Sequence, residues 1–194
     1  MSTRTGQSTR ERIVLAATRM MQQRGFEGAG VKQIATEAGA TLGSVYHFFP
    51  GGKEELAIAA IDQGDREFAG ILADSLARAD DPAQAVEACA RSLAEHLEAS
   101  GWTDGCPISA TALETTGRVP AIEAAVARVF RNWQELAADR LRAAGFSEGD
   151  ARELACTVIN TLEGAELSAQ VFRTQEPLLV AGRHLALLID ASRR

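Results

Sequence analysis

The residues with the clearest potential for molecular recognition follow the turn Gly39-Ala40-Thr41. Ser44 can hydrogen-bond to bases of either kind, and Leu42 can contact a thymine methyl group. Gly43 carries no side chain, so a helix containing it can approach a groove closely. His47, one helical turn further on, can donate or accept a hydrogen bond at a base edge. This stretch therefore predicts contacts with base edges in the major groove of double-stranded DNA.

Neighbouring residues carry groups that usually contact the DNA backbone instead of the bases. Thr41 offers a hydroxyl, Tyr46 a phenol and Lys53 an ammonium group, the last at the positively polarised start of a longer predicted helix. Lys32 adds a cation in the preceding short helix. Plainer roles are open for three of these recognition candidates: Tyr46 could be a core aromatic residue, and His47 and Lys53 could be solvated surface residues.

The charge of the chain is unevenly distributed. The whole protein has a net charge of −6, but residues 1–53 contain seven basic and three acidic residues, which gives them a net charge of +4. Residues 54–194 carry −10. Because salt screens charges over a short distance, a basic module joined to an acidic body suits a protein of which only one end meets phosphates. A chance skew in surface charge is the alternative.

Composition excludes several classes of protein. The chain has 194 residues, 46% hydrophobic and 24% charged, without a run of eighteen apolar residues, so it is not expected to be disordered, collagen-like or membrane-spanning. Residues 1–10 form a polar arm, and no apolar stretch of signal-peptide length follows them. We therefore expect a soluble cytoplasmic protein without a membrane partner.

The titratable residues do not form a pattern of an enzyme or a cofactor site. The three histidines are scattered, and there is no phosphate-binding glycine loop or Ser-His-Asp arrangement. Cys89, Cys106 and Cys156 are widely spaced and lack the spacing of zinc ligands or of a disulfide framework. We expect no enzyme, cofactor or metal site. Because Cys106 precedes Pro107 at a predicted helix start, a redox-reactive thiol is an alternative to a structural one.

Apolar residues recur with helical spacing nearly everywhere, which predicts an all-α fold of about nine helices. Local signals mark their starts: Ser8 and Glu11 form a capping box, Asp81-Pro82 starts another helix, and Ser147 to Asp150 is a further capping signature. The first helix is expected over about residues 9–24 and the last over about 176–191. Three short helices in residues 1–52 predict a DNA-binding domain, and residues 53–194 a ligand-binding and dimerisation domain.

The second and third short helices, separated by a tight turn, form a helix-turn-helix pattern. Four segments carry a more specific resemblance, and they lie within a stretch of about thirty residues: Gly25-Phe26-Glu27, residues 31–39 (VKQIATEAG), residues 45–50 (VYHFFP) and residues 53–56 (KEEL). In order and spacing this stretch resembles the TetR family of bacterial one-component transcriptional repressors. It departs from the family at Gly30, where a capping Ser or Thr is usual, and at Gly51-Gly52, which lengthens a link by one residue. With Gly105-Cys106-Pro107 the chain resembles the branch that responds to lincomycin-like drugs or flavonoids.

The resemblance implies a symmetric homodimer in which the last two helices form a four-helix bundle with those of the partner. An intramolecular core is the alternative use of these helices. Such a dimer places its two recognition helices about 34 to 36 Å apart, or somewhat more, and implies a palindromic operator. The residues expected at the interface are Leu154, Val158, Leu162, Ala165, Leu185, Leu188 and Ile189.

The body of the chain also contains candidates for a ligand pocket. An apolar cavity with a few polar anchors would suit a flat, drug-sized molecule. Ordinary packing or solvent exposure is the alternative for any one of these residues. The candidates are His96, Leu97, Trp102, Cys106, Ile108, Glu114, Phe130, Trp133 and Glu163.

Together these features predict a homodimeric repressor that a small, mostly apolar or aromatic inducer releases from its operator. The alternatives are an activator or dual regulator using the same contacts, and a small-molecule-binding or protein-interaction protein whose head no longer binds DNA.

Overall fold

The computed structural model describes residues 7–193, without the side chains of residues 76–78. Residues 1–6 of the predicted polar arm lie outside this range. Within it the fold is all-α, as predicted, with nine helices. They are α1 (Thr9–Gly28), α2 (Val31–Glu37), α3 (Leu42–Phe48), α4 (Gly52–Arg78), α5 (Pro82–Ala99), α6 (Pro107–Thr115), α7 (Pro120–Ala143), α8 (Glu148–Phe172) and α9 (Glu176–Ala191). None of the described helices combines the length and apolarity needed to cross a membrane.

The predicted capping residues begin their helices as expected. Ser8 Oγ accepts a hydrogen bond from the backbone nitrogen of Glu11 at 3.2 Å, and Glu11 Oε2 accepts one from the backbone nitrogen of Ser8 at 2.7 Å. Hydrogen bonds from the Ser8 backbone and side chain lower the pKa of Glu11. The side chains of Asp81 and Ser147 also accept hydrogen bonds from backbone nitrogens in the first turns of α5 and α8. Each cap satisfies backbone N–H groups that a helix start leaves without an intrahelical partner.

The end of α1 differs from the prediction. Gly25 was expected to stop the helix, but it forms a kink with φ 69°, and a final turn continues to Gly28. Phe26, directly after the kink, is buried. A glycine with positive φ can therefore redirect a helix as well as end it, because its backbone reaches left-handed conformations at little cost.

The described residues form two compact units. The first consists of residues 7–65 and 107–127. In its core, Ile13 and Met21 of α1 are buried together with Ile34 of α2 and Val45 of α3, and α6 packs against α1. Compact packing thus groups α6 with the N-terminal helices α1, α2 and α3, although more than 75 residues separate α6 from α1. The functional division at residues 52 and 53 stays a prediction.

The second unit consists of residues 66–106 and 128–193. The fully buried Trp133 packs against Phe68 and Phe130, with ring centroids 4.2 Å and 5.5 Å away. Helix α9 packs against α5 and α8. Gly182 of α9 makes the approach to α5 possible, because a Cβ atom at this position would lie 2.8 Å from the Cβ of Ala90.

Candidate functional site

The helix-turn-helix is built from α2 and α3 and the turn between them. Ile34 of α2 and Val45 of α3 are fully buried and fix the two helices on the core. Gly39 has a φ of 60°, and the backbone nitrogen of Ala40 donates to Ala35 O at 2.9 Å. The turn therefore reverses the chain tightly enough to leave the start of α3 exposed.

Thr41 organises the start of α3. Its Oγ1 accepts a hydrogen bond from the backbone nitrogen of Ser44 at 3.0 Å, and the two hydroxyl oxygens lie 2.9 Å apart. Thr41 is therefore the N-cap of α3. Because one of the two hydroxyls must donate to the other, the other donor proton in this pair is available to an external acceptor.

The outward surface of α3 consists of the predicted recognition residues. Leu42 is 43% exposed and Tyr46 is 50% exposed, which excludes a core role for this tyrosine. Gly43 and His47 are exposed, and Ser44 is half-buried. A Cβ atom at position 43 would meet only the Thr41 hydroxyl, at 3.7 Å. The helix therefore presents a narrow, mixed surface, as a groove-binding helix requires.

Some basic residues near the helix-turn-helix bind other parts of the same chain, whereas others are exposed to solvent. Arg12 Nε donates to Ala38 O at 3.1 Å, which ties α1 to the end of α2. Lys53 Nζ donates to Glu27 O at 3.1 Å and lies 4.5 Å from the centre of the Phe26 ring. The side chain of Lys53 is 27% exposed, because its contacts with α1 cover most of it. Lys32 is exposed on α2.

The structure distributes the nine ligand candidates over both compact units. Ile108 and Glu114 belong to the first unit, where Ile108 is fully buried and Glu114 contacts α1. In the second unit His96 is exposed, and its Nδ1 lies 3.1 Å from Ser92 O. These three residues stay predictions for the ligand site.

The other six candidates lie in the second unit. Leu97 and Trp133 are buried, whereas the rest are half-buried and retain accessible surface: Trp102, Cys106, Phe130 and Glu163. Trp102 has a φ of 69°, which is uncommon for a residue other than glycine. This group stays a prediction for the ligand site.

An internal cavity in the second unit is lined by different residues. Its volume is about 30 Å³, and Val86, Cys89, Arg140 and Leu162 are among the residues around it. That space holds about one water molecule, whereas pockets for drug-sized ligands measure roughly 300–1,000 Å³. A ligand of that size would therefore have to open this cavity or use another part of the unit.

Two of the half-buried candidates meet a residue that the sequence analysis missed. Cys106 Sγ and carboxylate oxygens of Glu163 and Glu166 all lie within 4.8 Å of one another. Burial, and secondly the negative charge of Glu163, raise the pKa of Glu166 to about 8. Burial raises the pKa of the Cys89 thiol to about 12, and Glu166 adds to this effect. The i, i+3 spacing of the two glutamates on α8 was the available signal.

Comparisons with known proteins agree with this architecture. Residues 13–60 match the sequence model of bacterial regulatory proteins of the tetR family, and residues 82–184 match that of the transcriptional regulator LmrA/YxaF-like C-terminal domain. The HTH-type transcriptional regulator LmrA of Bacillus subtilis is 35% identical over 172 residues, which cover 88% of this chain and 91% of the relative. The chain belongs to the TetR family. It is a DNA-binding transcriptional regulator.

Solved structures support the same assignment. A TetR transcriptional regulator from Chloroflexus aurantiacus is similar with a TM-score of 0.81 and 32% identity, covering 97% of each chain. The regulatory protein TetR from Rhodobacter sphaeroides has a TM-score of 0.83 and 24% identity, covering 92% of this chain and 97% of its own. The second similarity concerns the fold alone.

Within this TetR-family regulator, most of the residues predicted for the dimer interface are buried. Five have exposed fractions of 1% to 7%: Leu154, Val158, Leu162, Leu185 and Ile189. They pack inside the second unit, and the predicted interface set stays a prediction. Ala165 is half-buried and Leu188 is exposed. The apolar stripes of α8 and α9 face other helices of the same chain.

Proposed function

We propose that this regulator is a homodimeric repressor that occupies a palindromic operator in the cytoplasm. A small, mostly apolar or aromatic ligand releases it. The observation that carries the proposal is the exposed surface at the start of α3, where a capped helix presents Leu42, Tyr46 and His47 to solvent. Family membership supports DNA binding, and repression is the simplest outcome of occupying an operator.

Base reading is assigned to the exposed residues of α3. Leu42 contacts a thymine methyl group, and His47 and the Thr41–Ser44 hydroxyl pair offer polar atoms to base edges. Tyr46, Lys32 and Lys53 contact phosphates, with Lys53 leaving or sharing its bond to Glu27 O. Phosphate contacts provide affinity for any sequence, whereas the residues of α3 provide the preference for one operator.

The dimer surface is assigned to the exposed side of α8 and α9. On α8 the exposed residues recur at spacings of three and four, as one helix face does: Glu153, Thr157, Asn160, Gly164, Leu167 and Val171. Leu167 is 56% exposed and Leu188 of α9 is 40% exposed. A Cβ atom at Gly164 would meet nothing within 4 Å, so a partner helix can approach closely at this point.

The ligand acts by binding one arrangement of the dimer more tightly than another. To change an operator-competent population from 99:1 to 1:99 requires a difference in affinity of about 10⁴, or about 5.5 kcal/mol. An apolar ligand that contacts Trp102 and Phe130 can supply much of that difference if it buries more surface in one arrangement of the dimer than in the other. Glu163 would then favour a ligand with hydroxyl or cationic groups.

The proposal is tested with the full chain and a labelled duplex from the promoter next to its own gene. Fluorescence anisotropy should show saturable binding that weakens strongly for Tyr46→Ala and His47→Ala. Leu113→Ala is the matched control, because Leu113 is 81% exposed in the same compact unit but lies on α6. Sedimentation of the complex should show two protein chains bound to each operator, one for each half-site. Equal loss of binding in the control, or a monomeric protein without operator affinity, would contradict the proposal.

A further inference from the structure

The Cys106, Glu163 and Glu166 side chains come together from distant parts of the sequence. Cys106 directly precedes α6, and the two glutamates lie one helical turn apart on α8. One ligand atom from each residue lies within 4.8 Å of the other two, and all three residues are half-buried. We call these residues the thiol–carboxylate cluster.

Two carboxylates of the cluster lie close together, and among the described residues no basic side chain pairs with Glu166. Among the described residues, no hydrogen bond or ion pair reaches the Glu166 carboxylate, although Glu163 lies beside it. Placing two carboxylates together in a partly buried site is unfavourable unless a cation or a proton compensates them. The arrangement therefore favours a positively charged occupant.

The donor atoms decide which kind of cation fits. A thiolate prefers zinc and similar transition metals, whereas calcium and magnesium prefer sites made of oxygen atoms alone. In a tetrahedral zinc site with Zn–S near 2.3 Å and Zn–O near 2.1 Å, the ligand atoms lie about 3.3–3.6 Å apart. The ligand atoms of the cluster lie within 4.8 Å of one another, so a bound metal requires them to move closer together.

We propose that the thiol–carboxylate cluster binds one divalent transition-metal ion of the zinc class per chain. Three protein ligands leave a fourth coordination position for water or an added small molecule. Metal binding releases the thiol proton, and any proton held by Glu166, to solvent, and the thiolate and two carboxylates then give the site a net charge of −1. The cluster shares Cys106 and Glu163 with the residues predicted for the ligand site, but none of its three residues belongs to the operator contacts proposed above.

Cobalt is a direct probe of the site, because Co²⁺ bound to a thiolate gives an intense charge-transfer absorption that oxygen ligands do not give. The full chain, freed of metal by a chelator, should develop this band on titration with Co²⁺ and saturate at one ion per chain. Zn²⁺ should then displace the cobalt and abolish the band, and competition with a chromophoric chelator should give the same stoichiometry.

Variants assign the band to the cluster. Cys106→Ser should abolish it, and Glu166→Gln should weaken metal binding at least tenfold. Cys156→Ser is the matched control, because Cys156 is an exposed thiol on α8 outside the cluster, and it should behave as the wild type. An absent band, a band unchanged in Cys106→Ser, or unchanged affinity in Glu166→Gln would each overturn the proposal.

Thermal unfolding separates loss of metal binding from loss of the fold. Without metal, Glu166→Gln should unfold at or above the wild-type midpoint, because the substitution removes the repulsion between two neighbouring carboxylates. Added Zn²⁺ should raise the midpoint of the wild type but not that of Glu166→Gln. An equal shift in both proteins would contradict the assignment. None of these measurements uses DNA, so a failed repressor proposal would leave their outcome unchanged.

Discussion

The Glu114 carboxylate of α6 accepts a hydrogen bond from the backbone nitrogen of Glu27 at 2.7 Å, although 87 residues separate the two. The Glu27 side chain in turn accepts a hydrogen bond from Arg118 Nη2 at 2.9 Å. Lys53 Nζ donates to the backbone oxygen of the same residue. The last turn of α1 is therefore held from both α4 and the α6 region within the first compact unit, directly after the kink at Gly25.

The Gly25→Ala substitution should lower the free energy of unfolding by more than the backbone strain at this position alone. The left-handed φ of 69° disfavours any side chain, and a Cβ atom would collide with the Glu114 carboxylate. We expect a loss of about 2–4 kcal/mol in the free energy of unfolding, since the backbone conformation of Gly25 (φ 69°, ψ −178°) costs other residues about 1–3 kcal/mol and displacing the Glu114 carboxylate loses its hydrogen bond to Glu27 N, about 1 kcal/mol. Gly117→Ala is the control, because Gly117 has a φ of 73° but open space around it. Equal losses in urea unfolding would exclude the clash.

Replacing Gly30 with serine should stabilise the protein. Gly30 is the N-cap of α2, with a φ of −76° and no side-chain hydrogen bond, so serine fits the backbone and adds an acceptor. Together with the lower entropy of the unfolded chain, the gain should be about 0.5–1 kcal/mol. Gly39→Ser tests the reasoning, because its φ of 60° should make the same substitution unfavourable. A stabilised Gly39→Ser protein would argue against it.

The contribution of Asp81 to stability should depend on pH. Burial opposes ionisation, but hydrogen bonds from the backbone of Gln84 and Ala83, and from Arg193, outweigh it and lower the pKa of Asp81. Because the folded-state pKa lies below the unfolded one, this stabilisation is present above the unfolded pKa. It is lost as pH falls through the folded pKa.

At about pH 7, Asp81→Ala should therefore cost about 1 kcal/mol in the free energy of unfolding, the usual effect of a lost N-cap. This difference from the wild type should shrink as the pH falls below about 4. Asp74→Ala, in an exposed helical position, is the control and should show a smaller effect. A difference that is independent of pH would mean that the charge of Asp81 does not contribute.

The dimer surface is tested best at a glycine that the single chain does not need. Gly164→Arg should leave the chain folded, because the new side chain points into open space and a helical glycine costs about 1 kcal/mol relative to good helix formers. It should nevertheless abolish dimerisation by blocking close helix approach. Gly70→Arg, also helical and open, is the control. Light scattering after size-exclusion chromatography distinguishes the two. A dimeric Gly164→Arg protein would place the interface elsewhere.

Lys53 should contribute to operator affinity through its charge. Lys53→Met keeps the packing on Phe26 but removes one phosphate contact, so the slope of log affinity against log salt should fall by about 1. Lys53→Arg should retain the slope. His47→Ala should instead change the preference among operator sequences with the slope preserved. If Lys53→Met has the wild-type slope, this lysine serves only to anchor Glu27.

The helix boundaries were predictable because their determinants are local. The expected start of α5 and the expected bounds of α9 agree with the structure, since caps, prolines and glycines act on backbone groups within a few residues. The family was predictable for a related reason: the residues of the helix-turn-helix lie in one continuous stretch. The end of α1 was missed because a glycine of positive φ is compatible with both a stop and a kink.

The candidate sites away from the head depended on contacts that no local signal specifies. Helical periodicity shows that Leu154, Val158 and Leu162 share an apolar face, but not whether the same chain or a second chain covers it. Likewise, nothing near Cys106 in the sequence indicates Glu166. The sequence alone determined most of the helix boundaries and the basic charge of residues 1–53, because backbone capping and charge are short-range. Only tertiary packing decided which apolar faces are buried and which acidic groups meet a thiol, because these depend on elements brought together across the whole chain.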